Sequence, residues 1–226
     1  MKKILTSGII ALTLAACGGG GNAANEKNFK KAINQINAGE QVCIPFNLKI
    51  QMPDGSLARQ NSMAGERLLL VSDRDSDGRR INQAAEKQIE ILTDNGFYKK
   101  EKTESQTLPM PDKTADITIT AYSLTEKGAK QTVQGIRSPL LCIGSLEAKK
   151  IDWYTTPATF RGTIISKISY QAELKPARWA EKLIKESGEE EWSALKQPSQ
   201  KIATLVQTNK GWISPRSLFP RHPDAE

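Results

Sequence analysis

The three cysteines of this chain, Cys17, Cys43 and Cys142, limit its fold more than any other feature, because the compartment in which the chain folds decides whether they pair. Lys2 and Lys3 open the chain with positive charge, and Ile4 to Ala16 is a mostly apolar run. A membrane-spanning helix needs ~20 apolar residues, so a run this short has the length of a signal-peptide core. Residues 1–16 are therefore expected to be removed, and the remainder to fold beyond the inner membrane. That compartment is oxidising, and cysteines left in the folded part should pair there.

The apolar run ends in Leu14-Ala15-Ala16-Cys17, small residues in front of a cysteine. It resembles the lipobox of bacterial lipoproteins. The resemblance implies cleavage before Cys17 and palmitate-type acylation of that residue. The anchor would be durable, since each buried CH₂ contributes ~0.8 kcal/mol. Gly18 follows instead of Asp, which by the sorting rule of such lipoproteins implies the outer membrane. Residues 17–25 are Gly, Asn and Ala after the cysteine, without periodicity, and read as a flexible tether. With Cys17 acylated, Cys43 and Cys142 remain and are expected to form a disulfide. Closing a loop of about 100 residues corresponds to roughly 4 to 5 kcal/mol in the chain-entropy account. Two buried free thiols are the alternative; neither cysteine has a basic or histidine neighbour in sequence that would mark it as reactive.

Apolar spacing outlines the elements. Phe29, Ile33 and Ile36 fall on one helical stripe within 25–37, closed by Ala38-Gly39. Leu68 to Val71 reads as a strand. Ile81, Ala85, Ile89 and Leu92 make the core face of a second helix over 79–93, with Asp77 as its N-cap and Asn95-Gly96 as its stop. Phe97-Tyr98 begins a strand, and 116–124 alternates apolar and polar residues as a half-buried strand does.

This order, with "Leu92-Thr93-Asp94-Asn95-Gly96-Phe97" before a polar hairpin and "Tyr122-Ser123-Leu124-Thr125-Glu126-Lys127-Gly128" after it, resembles the recognition helix and wing of winged-helix proteins. The whole chain also resembles a set of uncharacterised lipoproteins of Gram-negative bacteria. The match rests on "Asn28-Phe29-Lys30-Lys31-Ala32", "Leu141-Cys142-Ile143-Gly144" and "Thr208-Asn209-Lys210-Gly211-Trp212". That resemblance brings no known activity with it.

All four tryptophans lie after Cys142, which places a boundary near Ser138-Pro139. Residues 141–154 and 162–174 read as long strands, with Ile164, Ile168 and Tyr170 on one side. Lys175-Pro176 opens a helix striped by Trp179, Leu183 and Ile184, and 202–208 is a last strand. Trp212 is expected to close this core. The expected fold class is thus α+β. A winged-helix-like unit over 26–137 is followed over 138–214 by a small antiparallel sheet with a covering helix, and 215–226 is a loose tail.

Candidate chemistry is sparse. His222 is the only histidine, in a Pro-rich tail, so neither a histidine-based nucleophilic site nor a zinc site built on several His or Cys is expected. Ser193-x-x-Lys196 lacks the K-T-G partner of penicillin-recognising enzymes. Asp73, Asp75 and Asp77 with Gly78 begin a calcium-loop pattern, but Ala84 stands where the pattern wants Glu, and arginines flank the carboxylates. The chain carries 32 Lys+Arg against 25 Asp+Glu, a net charge of +7. Arg79, Arg80, Gln83 and Lys87 on the second helix, with Lys99 and Lys100 on the hairpin, form a candidate polyanion face in which glutamates are interleaved. The expectation is a non-enzymatic outer-membrane lipoprotein without cofactor or metal. It would meet the membrane through Cys17 and bind an unidentified protein of the envelope. The alternative is a lipid-anchored binder of nucleic acid or another polyanion, although nucleic acid is not the partner expected of a chain with this address.

Overall fold

The computed structural model describes residues 22–58, 62–109 and 114–218. The expected signal peptide, Cys17, most of the tether and the tail from 219 onward, with His222, lie outside the described residues. Among the described residues no helix is long and apolar enough to cross a membrane.

Helix α1 (Glu26–Ala38) starts where the Asn25 side chain accepts the Asn28 N–H at 2.9 Å. Its stripe, Phe29, Ala32 and Ile33, is buried. Strand β1 (Gln41–Ile44) follows, then β2 (Leu68–Ser72), α2 (Gln83–Asp94), β3 (Tyr98–Pro109), β4 (Thr114–Leu124) and the short α3 (Glu126–Lys130). The second half holds β5 (Thr132–Gln134), β6 (Pro139–Tyr154), β7 (Ala158–Phe160), β8 (Thr163–Pro176), α4 (Arg178–Glu186), α5 (Glu189–Lys196), β9 (Ser199–Thr208) and β10 (Gly211–Ile213). A 3₁₀ turn, Pro215–Ser217, is capped by Ser214.

Seven strands form one antiparallel sheet in the order β1-β6-β8-β9-β10, with β5 added to β6 and β7 to β8. Register shifts at Ala148/Lys150 and Ile151/Trp153 interrupt the β6–β8 ladder, and such bulges increase twist and curl the sheet. The other three strands form a separate sheet, β2-β4-β3. Strand β6 serves both cores. Its first half sends Leu141 and Ile143 into a core with Phe46, Leu69, Ile89, Leu92, Leu183 and Trp192. Its second half sends Ala148 and Ile151 into a core with Phe29, Ile33, Ile168, Leu205 and Trp212. Trp212 meets Phe29 edge-on at 4.8 Å. Cys43 and Cys142 stand opposite each other on β1 and β6 and form a disulfide.

Two glycines quoted above for their motifs are sites of close packing. A Cβ on Gly144 would come within 2.3 Å of the Lys175 carbonyl oxygen, and one on Gly128 within 2.2 Å of that of Phe97. The "Tyr122…Gly128" motif thus serves a turn. Thr125 accepts the Gly128 N–H at 3.0 Å and donates to the Gly96 carbonyl at 2.6 Å.

The expected winged-helix-like unit does not form, and the fold is mostly β instead of α+β. A winged helix sets its recognition helix across a second helix of the same unit. Here α1 lies on the large sheet instead, and the apolar face of α2, with Ala85, Ile89 and Leu92, shares its core with Leu183 and Ile184 of α4 near the other end of the chain. Gln88 of α2 donates to the Ser187 hydroxyl after α4 at 3.1 Å. The 138–214 stretch is likewise no small sheet with its own helix. It supplies most of the seven-stranded sheet, and α1 covers the face on which Ile168 and Tyr170 lie. Helix α2 also starts later than the expected 79, because Asn82 is held in a left-handed conformation (φ 63°). Its side chain accepts the Gln51 N–H and donates to the Gln51 and Ser72 carbonyls.

Candidate functional site

The acidic loop before α2 is built around an arginine. Asp75 Oδ1 accepts the N–H groups of Asp77 and Arg79, both at 2.9 Å. The Arg79 guanidinium donates to Asp75 Oδ2 at 2.9 Å and to Asp77 Oδ2 at 2.8 Å. Asp73 turns the other way and accepts the Thr118 N–H at 2.8 Å. Desolvation works to raise the Asp75 carboxyl, but the bonds and charge from Arg79 and the Asp77 N–H outweigh it and hold the group below the ordinary carboxylate range. The cationic position of this loop is thus taken by Arg79. Among the described residues no three His, Cys, Asp or Glu side chains are grouped to hold a metal ion.

That arrangement removes Arg79 from the candidate polyanion face. Lys99 is paired with Glu101 at 3.5 Å on β3. The other four residues, Arg80, Gln83, Lys87 and Lys100, do meet, in a groove of about 560 Å³ between α2 and the small sheet. Glu86, Glu90 and Asp94 line the same groove, so its three cations face three carboxylates. Arg80 lies 3.8 Å from Glu86. The Tyr122 phenol at the groove's wall is raised above its ordinary value, first by burial and then by Glu86 and Glu90. A phosphate chain laid here would meet as much negative as positive charge.

A different surface stands out on the large sheet. Trp153 pairs with Ser169, and Ser169 with Ile202, so their side chains share one face across β6, β8 and β9. On the same face, Phe160 pairs with Thr163 near the β7–β8 turn. Helix α1 covers the opposite face, where Ile168 and Tyr170 lie. Trp153 is 47% exposed, Phe160 58% and Ile202 66%. Polar groups lie among them: Gln171 donates to Asp152 at 2.7 Å, and Gln200 to the Ser169 hydroxyl at 3.1 Å. Sequence reasoning missed this face. It set Ile164, Ile168 and Tyr170 on one side of their strand and gave no role to the other, but large apolar residues occur on both sides of these strands. The adjacent pair Trp153-Tyr154 carried the available signal, since neighbouring residues of a strand point to opposite faces.

No family model, no curated protein and no solved structure matches this chain. Its site is therefore read from the chemistry of its own side chains.

Proposed function

We propose that this chain is a non-enzymatic lipoprotein of the outer membrane, held through acylated Cys17, with a binding or assembly role in the envelope. The observation that supports it best is the open face of the large sheet, where Trp153, Phe160 and Ile202 remain exposed while α1 covers the other side. Trp153 and Ile202 stand on either side of Ser169, with Phe160 further along β8, and large apolar side chains exposed on one face favour association with another protein. Aromatic anchors of this kind dominate such interfaces.

The test is a photo-crosslinking residue placed at Trp153 in intact cells, with one at Lys87 as control. A discrete protein adduct is expected at 153 and none at 87. The yield of the adduct should hold when the crosslinking itself is carried out at salt from about 0.05 to 0.2 M, a span over which binding dominated by phosphate contacts falls ~10³-fold or more. No adduct at 153, or one lost with salt, refutes the reading. The anchor has its own test. Cys17→Ala should leave the precursor uncleaved or release the protein into the soluble fraction, and normal maturation with unchanged membrane attachment would show that Cys17 is not the anchor.

The polyanion alternative draws on the meeting of Arg80, Lys87 and Lys100 in one groove. Its three carboxylates weigh against it. Changing the three cations to alanine is expected to leave both duplex-DNA affinity and folding almost unchanged, because exposed substitutions cost within about ±0.5 kcal/mol each. Submicromolar DNA binding at physiological salt by the wild type, abolished in the triple variant, would reverse this order of preference.

A further inference from the structure

Just after the expected anchor, the chain is fastened to one end of the large sheet. The Asn22 carbonyl accepts the Gln207 side-chain amide at 2.7 Å and the Trp212 indole N–H at 3.2 Å. Gln207 and Trp212 pair with each other beside the β9–β10 turn, Asn209-Lys210. Cys17 stands five residues before Asn22, a span of about 18 Å at full extension. An acyl group on Cys17 therefore holds this end of the sheet close to the bilayer, whereas the other end of β8, at Pro176, lies about 45 Å along the strand.

The β7–β8 turn leaves the sheet at the same end. The β8–β9 ladder closes with Ile165 opposite Val206, two residues short of Thr163 and of Thr208, where the two turns lie. The β7–β8 turn is Arg161-Gly162, both left-handed (φ 49° and 76°), the two-residue form that closes a hairpin tightly. Phe160 is 58% exposed and Ile164 41%. Phe160 pairs with Thr163 and Ile164 with Thr159, so the two apolar side chains lie on opposite faces of the hairpin. A partner seated on one face covers one of them, whereas immersion of the tip covers both. The charge at this tip is positive. Arg161 lies over the Phe160 ring at 5.5 Å, and Lys210 is exposed on the neighbouring turn. No Asp or Glu occurs between Trp153 and Gln171 or between Ser193 and Leu218, and Glu26, at the start of α1, is followed by Lys27.

We propose that the tip of the β7–β8 hairpin rests in a phospholipid surface that holds anionic lipid, with Phe160 and Ile164 below the headgroups and Arg161 and Lys210 against the phosphates. The proposal rests on the Cys17 anchor given above and adds how the anchored body stands on the bilayer. A bilayer fits this tip better than a protein does, because the reach from Cys17 is short, both faces of the hairpin carry an exposed apolar side chain and both turns carry a cation. Attachment to such a surface grows with the apolar area buried and with each cation brought near the lipid phosphates. Arg161 buries its stem beside Phe160 and keeps its guanidinium among the headgroups. Trp153 and Ile202 are level with Ser169, about 20 Å up β8 from Thr163, and stay clear of the lipid for the protein partner.

The experiment uses the full mature protein, extracted with its anchor and returned to vesicles of phosphatidylcholine and phosphatidylglycerol. A fluorescent amino acid at position 160 reports contact with lipid through quenching by phospholipid brominated on its acyl chains. The control position is Lys182, exposed on α4 beyond the far end of β8. Quenching is expected at 160 and not at 182. Arg161→Glu with Lys210→Glu turns both attractions into repulsions, which should shift the docking of the tip roughly 10³-fold and abolish the quenching. Vesicles of phosphatidylcholine alone should lower it with no change to the protein, so the comparison holds even where the double variant folds poorly. Quenching at 160 no greater than at 182 overturns the proposal. So does quenching that neither the double variant nor the neutral vesicles reduce, because anionic lipid would then play no part. A protein adduct from a crosslinking residue at 160 in intact cells would give the tip to a protein partner and overturn it as well. The anchor itself is decided separately by Cys17→Ala: unchanged attachment of that variant removes the anchor, whereas an acylated protein without quenching at 160 removes this proposal alone.

Discussion

Replacing both Cys43 and Cys142 by alanine should lower the free energy of unfolding by about 4 kcal/mol, measured by urea denaturation of the mature chain. The bridge closes a loop with a sequence separation of 99. In the chain-entropy account a loop near that length restricts the unfolded state by roughly 4 to 5 kcal/mol. Its place in the fold adds a second reason. It ties β1 to β6, where β6 passes from one core to the other, and Cys142 is fully buried. Without it, β1 keeps its short ladder with β6 and the packing of Val42 and Ile44. The loss should therefore show first as faster amide exchange in β1 and the adjoining part of α1. A loss below about 1 kcal/mol would mean that the unfolded chain is already compact enough for the bridge to restrict little.

Phe29→Ala should cost about 3 to 5 kcal/mol, the range for removing a fully buried aromatic side chain. Phe29 is 0% exposed and lies between Tyr154 at 4.9 Å and Trp212 at 4.8 Å. Those neighbours come from β6 and β10, so the cavity would open where α1 meets the large sheet. Polar ties remain: the Asn34 side chain accepts the Ala148 N–H at 2.7 Å, and Lys30 donates to the Lys149 carbonyl. The helix is thus expected to loosen, not to leave, with a lowered urea midpoint and a fluorescence change at Trp212. The core around Phe46 and Ile89 should respond little, because it is a separate cluster. A cost below about 1 kcal/mol, or equal loosening of both cores, contradicts this account.

The fold and its ion pairs take up much of this chain's polar chemistry. Charged side chains are largely spent within it, as Arg79 is on Asp75 and Asp77 and as Glu86 and Glu90 are against the basic groove. What stays exposed is apolar: the face that carries Trp153, Phe160 and Ile202. Those groups suit association with another polypeptide.

Local pattern determined much of the element list. The stripe Phe29, Ile33, Ile36 marked α1, the alternation over 116–124 marked β4, and the order of long strands in the second half was legible to within a few residues. Such features depend on the chain's own period and need no knowledge of a partner surface. Cys43 and Cys142 pair, as expected from the count of cysteines left once Cys17 is set aside. The partners of each apolar face were decided only by the tertiary structure. Periodicity shows that α1 and α2 each have a face to bury, but it does not say that α1 meets β6 and β10 while α2 meets α4. The resemblance of 92–128 to a winged helix failed for this reason. The helix and hairpin are present, but the second helix that would complete the unit is committed to another sheet by contacts more than a hundred residues away in sequence, such as Asn34 with Ala148. The Trp153 face was hidden in the same way, because it is defined by which strands stand next to one another. Strand neighbours are a matter of long-range pairing, on which local spacing is silent.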